Sequence, residues 1–158
     1  MLQNLKKRKE GFTIIEVLIV LAIAGLILLI VFLAVPALQR NSRNTQIKDA
    51  AAAILGAVTE YQNNNAGANP TSVTLSGSTL TVSGSGAGTA PAEAKIQGGY
   101  TVSLGSAMPS APGALVVNLG TKCNGNAFGA SVARAVSIGY LIETGSGSGS
   151  TATQCSES

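Results

Sequence analysis

The carboxyl group of Glu16 stands alone in this sequence. Between Glu10 and Arg40 no other side chain ionises, and residues 17–35 are an unbroken run of apolar or small residues. As a helix, those nineteen residues would measure about 28 Å, close to the thickness of a bilayer core. An ionised carboxylate in hydrocarbon costs about 2.5–3.5 kcal/mol on insertion scales and calls for a partner. None presents itself nearby in the chain, so the chemistry expected of Glu16 is electrostatic, completed by a positive group from elsewhere. Catalysis finds little to work with. The chain has no histidine, and the acids beyond residue 62 are only Glu93, Glu143 and Glu157, too sparse for a carboxylate pair or a calcium cage. Gly84-Ser85-Gly86-Ala87-Gly88 is glycine-rich but lacks the strand, lysine and helix start of a phosphate-binding loop. These residues point away from an enzyme and call for no cofactor and no metal.

Four features recur around Glu16 at fixed spacing: the basic residues Lys6, Lys7, Arg8 and Lys9, the Gly11-Phe12 pair, the glutamate itself, and the apolar run. Together, in Gly11-Phe12-Thr13-Ile14-Ile15-Glu16, they resemble the processing and assembly signal of type IV prepilins. The resemblance implies that a membrane peptidase cuts between Gly11 and Phe12. It also implies that the new N-terminus at Phe12 is N-methylated and that Glu16 docks each subunit into a helical fibre. The implied partners are further copies of the chain, the prepilin peptidase, an assembly ATPase with its membrane platform, and the membrane; nucleic acid is left open. Electrostatics supports the assembly role. The amine freed on Phe12 can meet Glu16 of a neighbouring subunit, so that two charges costly in hydrocarbon neutralise each other and set axial register.

Lysine and arginine number 10 against 7 acids, a formal charge of +3. Removing Lys6, Lys7, Arg8, Lys9 and Glu10 leaves six of each. The basic character belongs to the leader, and it offers no argument for nucleic-acid binding by the body. Basic residues beside a span mark its cytoplasmic end. The N-terminus is therefore expected inside and the body outside, anchored by one pass in the cytoplasmic membrane before assembly and extracellular in the fibre afterwards. Cys123 and Cys155 both lie in the part placed outside, where an even count reads as a disulfide. Closing that loop of 33 residues is worth roughly 3.5–4 kcal/mol in the chain-entropy model.

The elements that position these groups follow from periodicity. The first helix should run from Phe12 to about Gln62, some 76 Å at 1.5 Å per residue. Gly25 and Pro36 are its expected points of bending; in the family the proline usually lies nearer the glutamate. Beyond the polar residues 40–44, Ile47, Ala51, Ile54, Leu55, Val58 and Tyr61 recur at the spacing of one helical face, with Lys48, Asp49, Thr59, Glu60 and Gln62 on the other. Residues 63–67 stop it. From Pro70 the composition turns to Gly, Ser, Thr and Ala. Residues 73–75 and 79–82 read as a small hairpin about a glycine turn. Residues 100–104, 114–119 and 135–142 are strand candidates for an antiparallel sheet, residues 83–90 are a loop, and residues 145–150 form a low-complexity segment.

The expected architecture is α+β. It has a leader (residues 1–11), a transmembrane or fibre-core helix half (12–36), an amphipathic half (37–65) packed on a small antiparallel sheet, and a head (66–158) with a disulfide-bounded C-terminal loop. The expected function is that of a structural subunit, a major pilin, of a type IV pilus serving adhesion, twitching motility or DNA uptake. A pseudopilin of type II secretion is the nearest alternative. The resemblance associates such pseudopilins with a C-terminal calcium site and no disulfide, which favours a pilus. A non-fibrous secreted or membrane-anchored surface protein is the alternative of another class. Val35-Pro36-Ala37 has the small residues of an ordinary signal cleavage site, but the apolar run far exceeds a usual signal core of about 7 to 15 residues.

Overall fold

The computed structural model describes residues 11–85, 89–145 and 149–158. Residues 1–10, most of the expected leader, and the middles of the two glycine-rich runs, 86–88 and 146–148, lie outside the described residues. The chain divides into two units, Met1–Gln39 and Arg40–Ser158.

One helix, α1 (Ile14–Asn64), belongs to both. In the first unit it is apolar on every side, with mean hydropathy 3.4 over its most apolar stretch, and is long and apolar enough to cross a membrane. Among the described residues, none of that stretch is buried. Proline lacks an N–H, so Pro36, inside α1, leaves the carbonyl of Phe32 without its helical donor. In the second unit α1 is one-sided: Ile47, Ala50, Ala51, Ile54, Ala57, Val58 and Tyr61 are buried. Lys48, Asp49 and Glu60 are exposed, as their polarity requires. Gln62 departs from the expected exposed face. It is buried, and its Nε2 donates to Asn69 Oδ1 at 2.8 Å, which satisfies the amide inside the head. The helix ends where Ala66 and Gly67 both adopt positive φ and the Gly67 N–H bonds back to the Gln62 carbonyl.

The strands form two sheets. β1 (Ser72–Ser76), β2 (Thr79–Ser83) and β3 (Ala92–Lys95) make an antiparallel sheet in that order. β1 and β2 are the expected hairpin, with Gly77 at φ 61 in the first position of a two-residue loop, where a II′ turn needs glycine. The second sheet runs β4 (Thr101–Leu104), β5 (Ala114–Asn124), β6 (Ala127–Glu143), β7 (Thr151–Glu157). β5 and β6 extend the expected strands, β4 falls within the expected one, and β3 and β7 come from segments with no strand signal. The β4–β5 pair is parallel, a departure from the all-antiparallel expectation. β4 is only four residues long, so residues 105–113 suffice to bring the chain back to its starting edge.

A single apolar cluster joins α1 to both sheets. Val73, Leu80, Val82 and Ala92 come from the first; Leu115, Val117, Val136, Ile138 and Tyr140 come from the second. Residues 136, 138 and 140 alternate toward this core, as strand periodicity requires. Tyr61 fits because residue 84 is glycine: a Cβ there would collide with the Tyr61 hydroxyl. At the other end of the head, Arg43 donates to both carboxylate oxygens of Glu143 at 2.6 Å, and Asn44 exchanges two hydrogen bonds with the Glu143 backbone. The first of these interactions holds the Glu143 carboxyl below its ordinary range and raises Arg43.

The disulfide joins Cys123 to Cys155 with a Cα–Cα distance of 5.8 Å. The span it closes is mostly strand rather than loop, because β6 and the first part of β7 lie inside it.

Candidate functional site

The residues singled out at the N-terminus come together in one short stretch. Gly11, Phe12 and Thr13 are not helical; α1 starts at Ile14, two residues later than the sequence periodicity places it. The start is set by a reciprocal pair of interactions. The Glu16 N–H donates to Thr13 Oγ1 at 3.3 Å, while Glu16 Oε2 accepts from the Thr13 N–H at 2.8 Å and from its hydroxyl at 2.7 Å. This is a capping box. Thr13 is the N-cap, and the carboxylate three residues on satisfies a backbone N–H that the helix cannot. A negative charge in a first turn also complements the helix dipole.

Glu16 therefore has a partner within its own chain, which corrects the expectation that it has none nearby. The signal was present in the sequence: Thr13-Ile14-Ile15-Glu16, a threonine with glutamate three residues on, immediately before an apolar run. Only Oε2 is engaged. Among the described residues, no hydrogen bond reaches Oε1.

Phe12 is 88% exposed, and with Glu16, Val17, Val20 and Leu21 it lines a shallow cleft of about 190 Å³ along the helix flank. At Gly11 an added Cβ would meet no atom within 4 Å. Among the described residues, then, no neighbour demands glycine there.

The remaining candidates lie elsewhere. Gly25 is in the apolar half of α1, where an added Cβ would also meet open space, and Pro36 is a turn or more before the head begins. Cys123 and Cys155 belong to the head. Among the described residues no group of three or more His, Cys, Asp or Glu side chains is arranged to hold a metal ion. The arrangement at residues 11–16 therefore offers an accessible backbone at Gly11-Phe12, a preorganised carboxylate one helical turn away, and a long apolar surface behind it.

Residues 6–32 match the model of the prokaryotic N-terminal methylation motif, the class III signal of type IV pilins and pseudopilins. No curated protein and no solved structure matched the chain.

Proposed function

We propose, from the premise that this chain carries the class III signal of the type IV pilin-like proteins, that it is a fibre subunit, the major pilin of a type IV pilus. The motif itself supports a pilin or a pseudopilin, and it implies polymerisation after processing by a prepilin peptidase. With the apolar helix behind it, the motif suggests membrane anchoring before assembly into an extracellular fibre. The observation that carries the proposal is the capping box at the start of an apolar helix half whose side chains are exposed among the described residues.

The mechanism follows from what that half needs. In the membrane its apolar surface is already out of water, so moving it into a fibre core gains little hydrophobic free energy, and assembly draws on an ATPase and its platform. Cleavage after Gly11 frees the amine of Phe12, which is then methylated. Oε2 of Glu16 stays with Thr13 of its own chain, and Oε1 is available to the Phe12 amine of a neighbour. One carboxylate thus caps its own helix and sets the register of the next subunit. Gly25 and Pro36 are the places where the helix can flex on entering the fibre. The disulfide-closed head supports a pilus over a secretion pseudopilin. Adhesion, twitching motility or DNA uptake is then the work of the assembled fibre, with the leader end of the span on the cytoplasmic side.

The test is assembly of a Glu16→Ala variant. Membrane insertion should be unchanged, while the subunit disappears from the high-molecular-weight material sheared off cells. Fibres at normal yield from Glu16→Ala would contradict the proposed role.

A further inference from the structure

The β5–β6 hairpin does not continue the sheet it starts in. From Leu115 to Leu119 on β5 the register with β6 is regular, ending at Leu119 opposite Val136. The next pair is Thr121 with Ser131, so two steps on one strand are matched by five on the other. At this break both strands carry a left-handed residue, Gly120 at φ 73 on β5 and Arg134 at φ 66 on β6. Arginine has no intrinsic preference for that region, and a strained backbone at a break of register marks a sharp change of direction. The Arg134 guanidinium lies against Gly67, beyond the end of α1, where a Cβ would come within 2.7 Å of it.

Past the break, the hairpin lies over the face of the sheet that points away from α1. Four contacts place it there. The Thr121 and Ser137 hydroxyls are hydrogen-bonded at 2.8 Å, and Ser137 is fully buried although it lies on the strand face opposite Val136 and Ile138. Phe128 reaches Gly139, where with Met108 it occupies the space a Cβ would fill, at 3.0 and 2.8 Å. Cys155, directly opposite Gly139 in the β6–β7 register, is bonded to Cys123 of the hairpin. The Cys123 N–H donates to Glu157 Oε2 at 2.5 Å. No residue from 120 to 134 is buried, whereas Ala135, just past the break, is.

We propose that residues 120–134 are a flap hinged at Gly120 and Arg134, that the Cys123–Cys155 bond is its latch, and that a dithiol reductant opens it while the core beneath α1 stays folded. The chemistry is thiol–disulfide exchange. A thiolate of the reductant attacks one cysteine sulfur, the S–S bond breaks, and the other cysteine leaves as a thiolate that takes a proton. The second thiol of the reductant then displaces the remaining cysteine and closes a cyclic disulfide. The protein gains two electrons and two protons; the reductant loses them. Among the described residues, what then holds the flap is the Thr121–Ser137 hydroxyl pair, the Glu157 carboxylate and the side chains of Phe128 and Met108, a small set against the entropy of a freed hairpin. This inference does not depend on the fibre reading.

Amide exchange of the full chain in detergent micelles, followed by peptide mass with and without dithiothreitol, tests it. Reduction should accelerate exchange across 120–134 by at least about tenfold and leave peptides containing Ile54, Val58, Leu80 and Val117 unchanged. A Cys123→Ser/Cys155→Ser double variant should show the open pattern without reductant; if it fails to fold, the wild-type comparison still decides. Flap exchange that ignores reduction would overturn the latch. Acceleration of flap and core together would overturn the hinge, because the bond would then hold the whole head.

Discussion

Residues 17–38 and residues 47–61 belong to the same helix and meet their surroundings in opposite ways. The first stretch is apolar all round and exposed among the described residues; Phe32, for example, is 76% exposed. The second has an apolar stripe, and the chain supplies two sheets to cover it. A helix apolar on every side signals that its partner is lipid or other helices. A one-sided helix signals a partner within the fold. The difference is that the stretch from Arg40 onward carries its own apolar core, whereas residues 17–38 have the length and hydropathy to cross a membrane.

Matched substitutions on the two stretches should break this symmetry of composition most sharply. Ile54, with no exposed surface, is at the centre of the head cluster, and Ile54→Ala should destabilise the head by about 2–5 kcal/mol, read by thermal or denaturant unfolding in detergent. Leu28→Ala removes a side chain of the same size from the uncovered stretch and should leave head unfolding unchanged. Equal losses for the two would mean that residues 17–38 have a covering partner within the chain.

A smaller effect is expected at the boundary of the uncovered stretch. Thr13→Ala removes the N-cap and one donor to Glu16, at about 1 kcal/mol. Amide exchange over residues 14–16 should quicken about fivefold, with Thr13→Ser near wild type because serine keeps the hydroxyl. The head should not respond.

The smallest effect belongs to the Arg43–Glu143 pair. The folded Glu143 carboxyl lies below its unfolded range, chiefly through its hydrogen bonds with Arg43. Its contribution is therefore fully present above the ordinary carboxylate range and is lost as pH falls through the depressed folded value. Because the pair is substantially exposed, the loss should be slight and weaker in high salt. Glu143→Gln should flatten that part of the stability–pH profile. An unchanged profile would assign the clamp to Asn44, which holds the Glu143 backbone irrespective of charge.

Legibility in the sequence follows the same division. Helix α1 was readable because its signals are local: an apolar run, a periodic stripe, a stop at residues 63–67. The β1–β2 hairpin was readable for the same reason, through alternation about Gly77. β3 was not, since Ala92-Glu93-Ala94-Lys95 has no strand propensity and becomes a strand by pairing with β2. β7 is polar, follows a Gly/Ser run, and is fixed by β6. The turn of direction at Gly120 and Arg134 depends on contacts made many residues away, so no window of sequence announces it. At the N-terminal site, the spacing of Gly11, Phe12 and Glu16 was legible. The bond from Thr13 to Glu16 was equally so through its Thr-x-x-Glu pattern, but the intramembrane charge drew attention to partners outside the chain. Gln62 was misplaced because polarity argues for exposure, and only the fold brings Asn69 within its reach.

The central claim is that the chain is cut after Gly11 to expose Phe12 as the working end of the helix. Intact mass and N-terminal sequence of the protein from membranes and from the sheared fraction test it directly. The account predicts a chain that begins at N-methylated Phe12, with that form in the sheared material. An intact Met1 in membranes, or a start at Leu38 in the medium, would contradict it.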